Sequence, residues 1–242
     1  MQLKRYISLC LLVFGFNLLQ PQTTATVGSV EFENSKKYIY QPETRLKLLQ
    51  TAVAKGNANA MVDLGVLYYN GYDNFLKVNF EEAIKLWKAA EVKEHPIAMF
   101  NLGICNLNGK GVEKNVENAI TYFKKSAELQ YVKAMVELGD LYFNKKVIPR
   151  NVQNAHIWYQ KAVENGFTKL IPKMLTAEKM VEAEKVLQNP NASDFEKGVA
   201  YFELENGKEA IIWLEKAAEK GNDKAMTVLG LAIEKCGMQF NK

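Results

Sequence analysis

A pattern of residues recurs four times in the chain, and this repetition limits the possible folds more than any other feature. Its copies read AMVDLGVLYYNG at 60–71, AMFNLGICNLNG at 98–109, AMVELGDLYFNK at 134–145 and AMTVLGLAIEK at 225–235. A second pattern, AIKLWKAAE at 83–91, recurs at 119–128, 155–164 and 210–219. Because the period is 36 to 38 residues, the sequence predicts structural units that stack on one another.

Each unit is expected to contain two helices. In the first helix, Ala60, Leu64 and Leu67 fall on one apolar stripe at helical spacing. A glycine follows the leucine in every copy, including those at 65, 103 and 139, although glycine inside a helix costs about 1 kcal/mol relative to alanine. Its recurrence indicates close approach of a second helix. That helix is expected to pack an aromatic residue and a small one: Trp87 with Ala90, Phe123 with Ala127, Trp158 with Ala162, and Trp213 with Ala217.

The pair Gly109 and Gly111 raises the question of a phosphate-binding loop. Such a loop needs a preceding strand, but a helix is predicted before Gly109. The matching loops of the other copies share no glycine-rich core. The sequence therefore favours a turn.

The two patterns together resemble the Sel1-like repeat family, whose members are solenoids related to tetratricopeptide repeats. The resemblance covers roughly residues 42–237 and implies an all-α, right-handed superhelical solenoid of stacked helix hairpins. Residues 42–169 are assigned to Sel1-like repeats and 191–242 to C-terminal repeats nearer the tetratricopeptide type. Residues 170–190 do not fit, and we expect one irregular extra helix there. Another departure is Asn106, which stands where the other copies have Tyr68 and Tyr142.

The N-terminal residues have the layout of a secretory signal peptide. Lys4 and Arg5 precede an apolar run over 6–19, which is shorter than the roughly 20 residues of a membrane-spanning helix. We expect cleavage near Ala25, with an uncleaved anchor as the alternative. Cleavage lowers the net charge from +4 to +2, and no basic cluster points to nucleic acid. Residues 26–41 are assigned to an N-terminal extension.

Few residues are candidates for chemistry. Neither His95 nor His156 has a carboxylate or cysteine at metal-ligand spacing, so no metal, cofactor or catalytic residue is predicted. His95 is expected to be exposed, and Cys105 to fill the core in place of leucine. His156 stands where the other copies have isoleucine, and it either lines a pocket or is half-buried with a hydrogen-bond partner.

The resemblance also implies an inner surface formed by the first helix of each hairpin. The expected partner-binding residues are Val62, Val66, Tyr69, Phe100, Ile104, Leu107, Val136, Asp140 and Phe143, with His156 as a further candidate. Most are apolar, as is typical of a partner site. Two alternatives stay open: these side chains pack between hairpins, or residues 26–41 fold back into the groove.

These features favour a non-enzymatic adaptor, exported to the bacterial envelope or outside the cell, that binds a protein or peptide. Host interaction and envelope assembly are the roles considered. The alternatives are a cell-wall-acting hydrolase, which would need a catalytic cluster that no spacing here supplies, and a lumenal quality-control scaffold.

Overall fold

Helices make up most of the chain in the computed structural model, which describes residues 28–72 and 74–240, without the side chains of 237–240. The predicted signal peptide lies outside the described residues. The α-helices are α1 Ser29–Lys37, α2 Pro42–Ala54, α3 Ala58–Asn70, α4 Phe80–Glu91, α5 Pro96–Asn108, α6 Val116–Glu128, α7 Val132–Phe143, α8 Val152–Glu164, α9 Ile171–Gln188, α10 Asp194–Glu203, α11 Gly207–Glu219 and α12 Asp223–Phe240. A 3₁₀ turn, Thr168–Leu170, precedes α9. The predicted all-α class is confirmed.

The described residues divide into two units, 28–138 and 139–240, with the division inside α7. In the first unit, α1 pairs with α2, α3 with α4, and α5 with α6. One apolar cluster joins the first two hairpins through Phe32, Leu49 and Leu64. A second cluster joins the second and third hairpins through residues that include Trp87 and Leu102. Adjacent hairpins thus share each core, as expected of a stacked array.

The recurring mid-helix glycines lie against a large side chain of the second helix. A Cβ atom on Gly65 would lie 2.4 Å from Trp87 Nε1, and one on Gly103 would lie 2.5 Å from Phe123 Cε1. Such distances are too short for any real Cβ, so only glycine lets these helices approach. The predicted close approach is confirmed.

The predicted aromatic partners in the last two copies, Trp158 and Trp213, were wrong by one position. Gly139 lies against the Tyr159 ring and Gly198 against Leu214. Both partners stand four residues after the alanine that opens the second pattern, as Trp87 does. Trp158 and Trp213 are half-buried instead, with lysine ammonium groups over their rings.

The second unit contains the predicted irregular helix, α9, which packs against α8 and α10. Its buried face includes Met174, Ala177 and Val181. At the start of α10, Ser193 and Glu196 form a capping box, in which each side chain accepts a hydrogen bond from the other residue's backbone N–H.

Residues predicted as an N-terminal extension take part in the first hairpin. Helix α1 lies within 26–41 and packs on α2, and its Phe32 side chain is only 7% exposed. Helix α2 is therefore the second helix of a hairpin that begins upstream of the predicted repeat boundary at 42. None of the helices that the structure describes is long and apolar enough to span a membrane.

Asparagine begins the second helix of the repeats. The side chains of Asn79, Asn115 and Asn151 each accept a hydrogen bond from the backbone N–H three residues later. Their own backbone N–H groups donate back to the carbonyls of Tyr68, Asn106 and Tyr142, at 2.7, 2.8 and 2.8 Å. These bonds set the same register between the two helices in all three copies.

Candidate functional site

The expected inner residues of the first unit are mostly half-buried rather than open to solvent. Tyr69 lies edge-on to Phe80, with ring centroids 5.2 Å apart, and also contacts Trp87. The Phe100 ring contacts the rings of Phe123 and Tyr131, with centroids 5.6 and 5.3 Å apart. Val66, Ile104, Leu107 and Val136 are half-buried as well. These side chains contribute to packing within the hairpins and keep a part of their surface exposed.

The prediction that Val62 belongs to the partner-binding surface was wrong. It is 4% exposed and belongs to the core that joins the second and third hairpins. Its carbonyl accepts a hydrogen bond from Trp87 Nε1 at 3.2 Å. The residue lies on the side of α3 that meets α4, so it offers no surface to a partner.

In the second unit, Asp140 is held by two donors. The Tyr159 hydroxyl donates to Asp140 Oδ1 at 2.6 Å, and Lys173 Nζ donates to the same oxygen at 2.7 Å. Burial raises the pKa of Tyr159, and the adjacent Asp140 carboxylate raises it further. The phenol is therefore a hydrogen-bond donor at neutral pH. Phe143 contacts the Tyr159 ring, with centroids 6.0 Å apart.

His156 is half-buried, and its Nδ1 lies 3.4 Å from the carbonyl oxygen of Met174. This contact fits the alternative in which the histidine has a hydrogen-bond partner. The prediction for His95 was wrong, because that residue is half-buried and its Nε2 lies 2.9 Å from Asn59 Oδ1. Burial lowers the pKa of His95.

Cys105 is fully buried in the core, as predicted. Burial raises the pKa of its thiol to about 11, so the group is protonated at neutral pH and is a poor nucleophile. The part of the chain that the structure describes contains no group of three or more His, Cys, Asp or Glu residues able to hold a metal ion.

Gly109 and Gly111 form a turn, as the sequence favoured. Gly109 ends α5 in the left-handed conformation, with φ 67°, and its N–H donates to the Cys105 carbonyl. Gly111 has φ 71°, and a Cβ atom there would lie 2.6 Å from Phe80 Cβ. The glycines are thus required by backbone conformation and by the close approach of the loop to α4.

A cleft of about 450 Å³ lies beside this turn. Its volume is within the ~300–1,000 Å³ typical of ligand sites. We call it the Asn106 cleft, after the residue at which the second copy departs from the others. Four segments form its walls: Ile84 and Lys88 of α4, Leu102, Cys105 and Asn106 of α5, the loop residues Val112, Glu113, Lys114 and Asn115, and Asn118 and Tyr122 of α6.

Asn106 stands out in the sequence as a departure from the repeat, although no cleft was predicted there. The signal was present, because replacing a ring by a short amide removes volume from the repeat. The exposed Lys88 of α4 lies at the rim of this cleft.

Comparison with known proteins connects this geometry to a repeat family. A family model described as Sel1 repeat matches residues 58–91, 96–131, 132–167 and 195–222. No curated protein matches the chain.

Two solved structures share the fold. A Sel1 repeat protein from Oxalobacter formigenes is 25% identical, with a TM-score of 0.51, over 83% of this chain and 84% of that one. The protein c5321, a protective antigen present in uropathogenic Escherichia coli strains and displaying an SLR fold, is 20% identical with a TM-score of 0.53. That match covers 87% of this chain and 50% of the antigen, so this chain spans half its length.

Proposed function

Because this chain belongs to the Sel1 repeat family, whose fold is a scaffold for protein–protein interaction, we propose that it is a non-catalytic adaptor for a partner protein. The adaptor acts in the bacterial envelope or outside the cell, after export directed by its N-terminal residues. It binds a segment of its partner along the first helices of the repeats. Host interaction and envelope assembly are both compatible with this role.

The row of half-buried apolar side chains on α3 and α5 carries this proposal. Val66 and Ile104 directly follow the recurring glycine, and Tyr69 and Leu107 lie three residues further along. Each of these four side chains keeps part of its surface exposed, although the apolar core beneath the row is buried. A partner segment that covers this row removes apolar surface from water in both repeats, which favours binding.

The groups on which a hydrolase would depend are committed to packing. The Cys105 thiol is buried and protonated, and His156 Nδ1 lies against the Met174 carbonyl. A nucleophile needs an adjacent base and an open position for substrate, and neither residue supplies that arrangement. These contacts favour the adaptor over the cell-wall hydrolase.

Photo-crosslinking in cells tests the binding face. A benzophenone amino acid is placed at Ile104 or at Leu107, and at the exposed Lys124 of α6 as the matched control. We expect one discrete protein adduct from the two inner positions and none from Lys124. Equal adducts from all three positions, or none from the inner pair, would contradict the proposed face.

Export is tested separately by cell fractionation and mass spectrometry of the N-terminus. We expect an envelope or secreted species that begins close to residue 26. Recovery of only the uncleaved chain in the cytosolic fraction would contradict export and leave the binding face unaffected.

A further inference from the structure

We propose that the Asn106 cleft binds an aromatic side chain of a partner protein, presented between acidic residues. The first and second repeats have the same register between their two helices. The backbone N–H groups of Asn79 and Asn115 bond to the carbonyls of Tyr68 and Asn106, so these two residues occupy equivalent places. The chain therefore fills this place with its own ring in the first repeat and with an amide in the second.

The apolar residues that surround Tyr68 in the first repeat have counterparts in the second repeat, where the ring is absent. In the first repeat, Tyr68 packs with Leu76 and Leu86 against the core of the adjacent hairpins. The residues 36 positions later, Val112 and Tyr122, line the Asn106 cleft. Apolar walls around an absent ring suit an aromatic group from outside, because its burial removes apolar surface on both sides.

The polar groups of the cleft are suited to a tyrosine hydroxyl. Asn106 Nδ2 donates to the Leu102 carbonyl at 2.8 Å, which leaves the side-chain carbonyl as an acceptor. Tyr122 borders the cleft too, and burial, the Glu91 charge and a hydrogen bond to the Glu91 carboxylate raise its pKa. The Tyr122 hydroxyl thus donates to Glu91, and an incoming hydroxyl donates to the Asn106 carbonyl.

Charge at the rim favours acidic residues on either side of the ring. Lys88 and Lys114 border the cleft, against the single carboxylate of Glu113. Among the described residues, neither lysine takes part in an ion pair. Two unpaired ammonium groups attract carboxylates, and each such exposed pair strengthens binding by about threefold.

This inference goes beyond the proposed function. The cleft is formed by α4, α5, α6 and the loop between α5 and α6, and α5 also contributes to the adaptor face. The residues differ, because Leu102, Cys105 and Asn106 line the cleft whereas Ile104 and Leu107 belong to the adaptor face. The two proposals are tested with different variants, so either is able to fail without the other.

The test uses the purified chain and the peptide acetyl-Asp-(3-fluorotyrosine)-Asp-amide, observed through the ¹⁹F line width. Asn106→Tyr restores the ring found in the first and third copies and is the main variant. Asn70→Tyr places the same residue on an exposed position of α3 and is the matched control. The double variant Lys88→Glu with Lys114→Glu tests the rim without changing the interior.

We expect the wild-type chain and Asn70→Tyr to broaden the line, and Asn106→Tyr to weaken binding at least about tenfold, because the space is filled. The double variant should bind at least about tenfold more weakly, since two favourable charge pairs are lost and like-charge repulsion replaces them. Equal broadening by Asn106→Tyr, or none by the wild-type chain at millimolar peptide, would overturn the proposal.

A lysine-flanked peptide, acetyl-Lys-(3-fluorotyrosine)-Lys-amide, checks the charge preference. We expect weaker binding of this peptide, and equal binding would overturn the acidic specificity. Tighter binding of free 3-(4-hydroxyphenyl)propionate than of the acidic peptide would overturn a protein partner in favour of a small aromatic acid.

Discussion

At the scale of single residues, the contact between Gly103 and Phe123 leaves no room for a Cβ atom. Gly103→Ala adds a Cβ atom 2.5 Å from Phe123 Cε1, so the ring or the helix must move. Overpacking of this kind costs about 1–3 kcal/mol and exceeds the gain in helix propensity. We expect a lower free energy of unfolding, measured by urea denaturation.

Gly230→Ala is the matched control for that experiment. Gly230 lies in α12, and nothing lies within 4 Å of the position that a Cβ atom would take, so the same substitution meets no neighbour there. We expect a gain of up to about 1 kcal/mol from helix propensity alone. If both variants lose stability equally, the glycine–ring contact is not the cause.

His95 makes stability dependent on pH. Burial lowers its pKa below the usual 6.5, so the folded state binds a proton less readily than the unfolded state. This contribution is fully present above about pH 6.5 and is lost as the pH falls through the folded-state pKa. Thermal denaturation should show that His95→Gln flattens the loss of stability between pH 7 and pH 5, and an unchanged slope would contradict this role.

The contacts of some residues could be predicted from the sequence and those of others could not, for physical reasons. Mid-helix glycine is costly, so its recurrence identified a close contact at Gly65 and Gly103. The identity of the contacting ring depends on helix rotation, and the pairing of an aromatic with a small residue pointed to Trp158 where Tyr159 makes the contact. The hydrogen-bond partner of His95 is Asn59, 36 residues away, which no local pattern reveals.

At the scale of elements, asparagine capping begins the second helix of each repeat. Asn79→Ala removes the side-chain acceptor of the Glu82 N–H at the start of α4. The loss of such a cap costs about 1 kcal/mol. We expect that decrease in urea denaturation, and Asn79→Asp should retain most of the stability because a carboxylate also accepts this bond. Equal losses in both variants would show that the cap is not responsible.

Helix positions followed from the repeat pattern because apolar spacing and capping residues are local properties. The extra helix α9 was predicted for the same reason. The Asn106 cleft was not, because its existence depends on whether Val112, Tyr122 and Ile84 close over the absent ring, and only the packing of four segments determines that. Similarly, Val62 and Val66 share a helix face in sequence, but only Val62 is buried by Trp87.

At the scale of the whole molecule, adjacent hairpins of the first unit share their apolar cores. The N-terminal hairpin was not predicted because α1 lacks the leucine–glycine pair of the repeats. In its place α1 buries Phe32 and the small Ser35, whose hydroxyl donates to the Phe32 carbonyl. This hairpin covers Leu64 and Leu67 of α3, which would otherwise be exposed at the end of the array.

Nearest-neighbour stabilisation predicts a local response to damage in that hairpin. Phe32→Ala removes a nearly buried ring from the core shared with Leu49 and Leu64, which costs about 3–5 kcal/mol in a closed core. Since α1 and α2 have a neighbour on one side only within this unit, they should open first. Hydrogen exchange should show lost protection over 29–54 and retained protection over 96–128. Phe32→Leu, which keeps most of the apolar volume, should lose much less. A uniform loss across both segments would mean that the first unit unfolds as one cooperative body, and the hairpins would then not be independent neighbours.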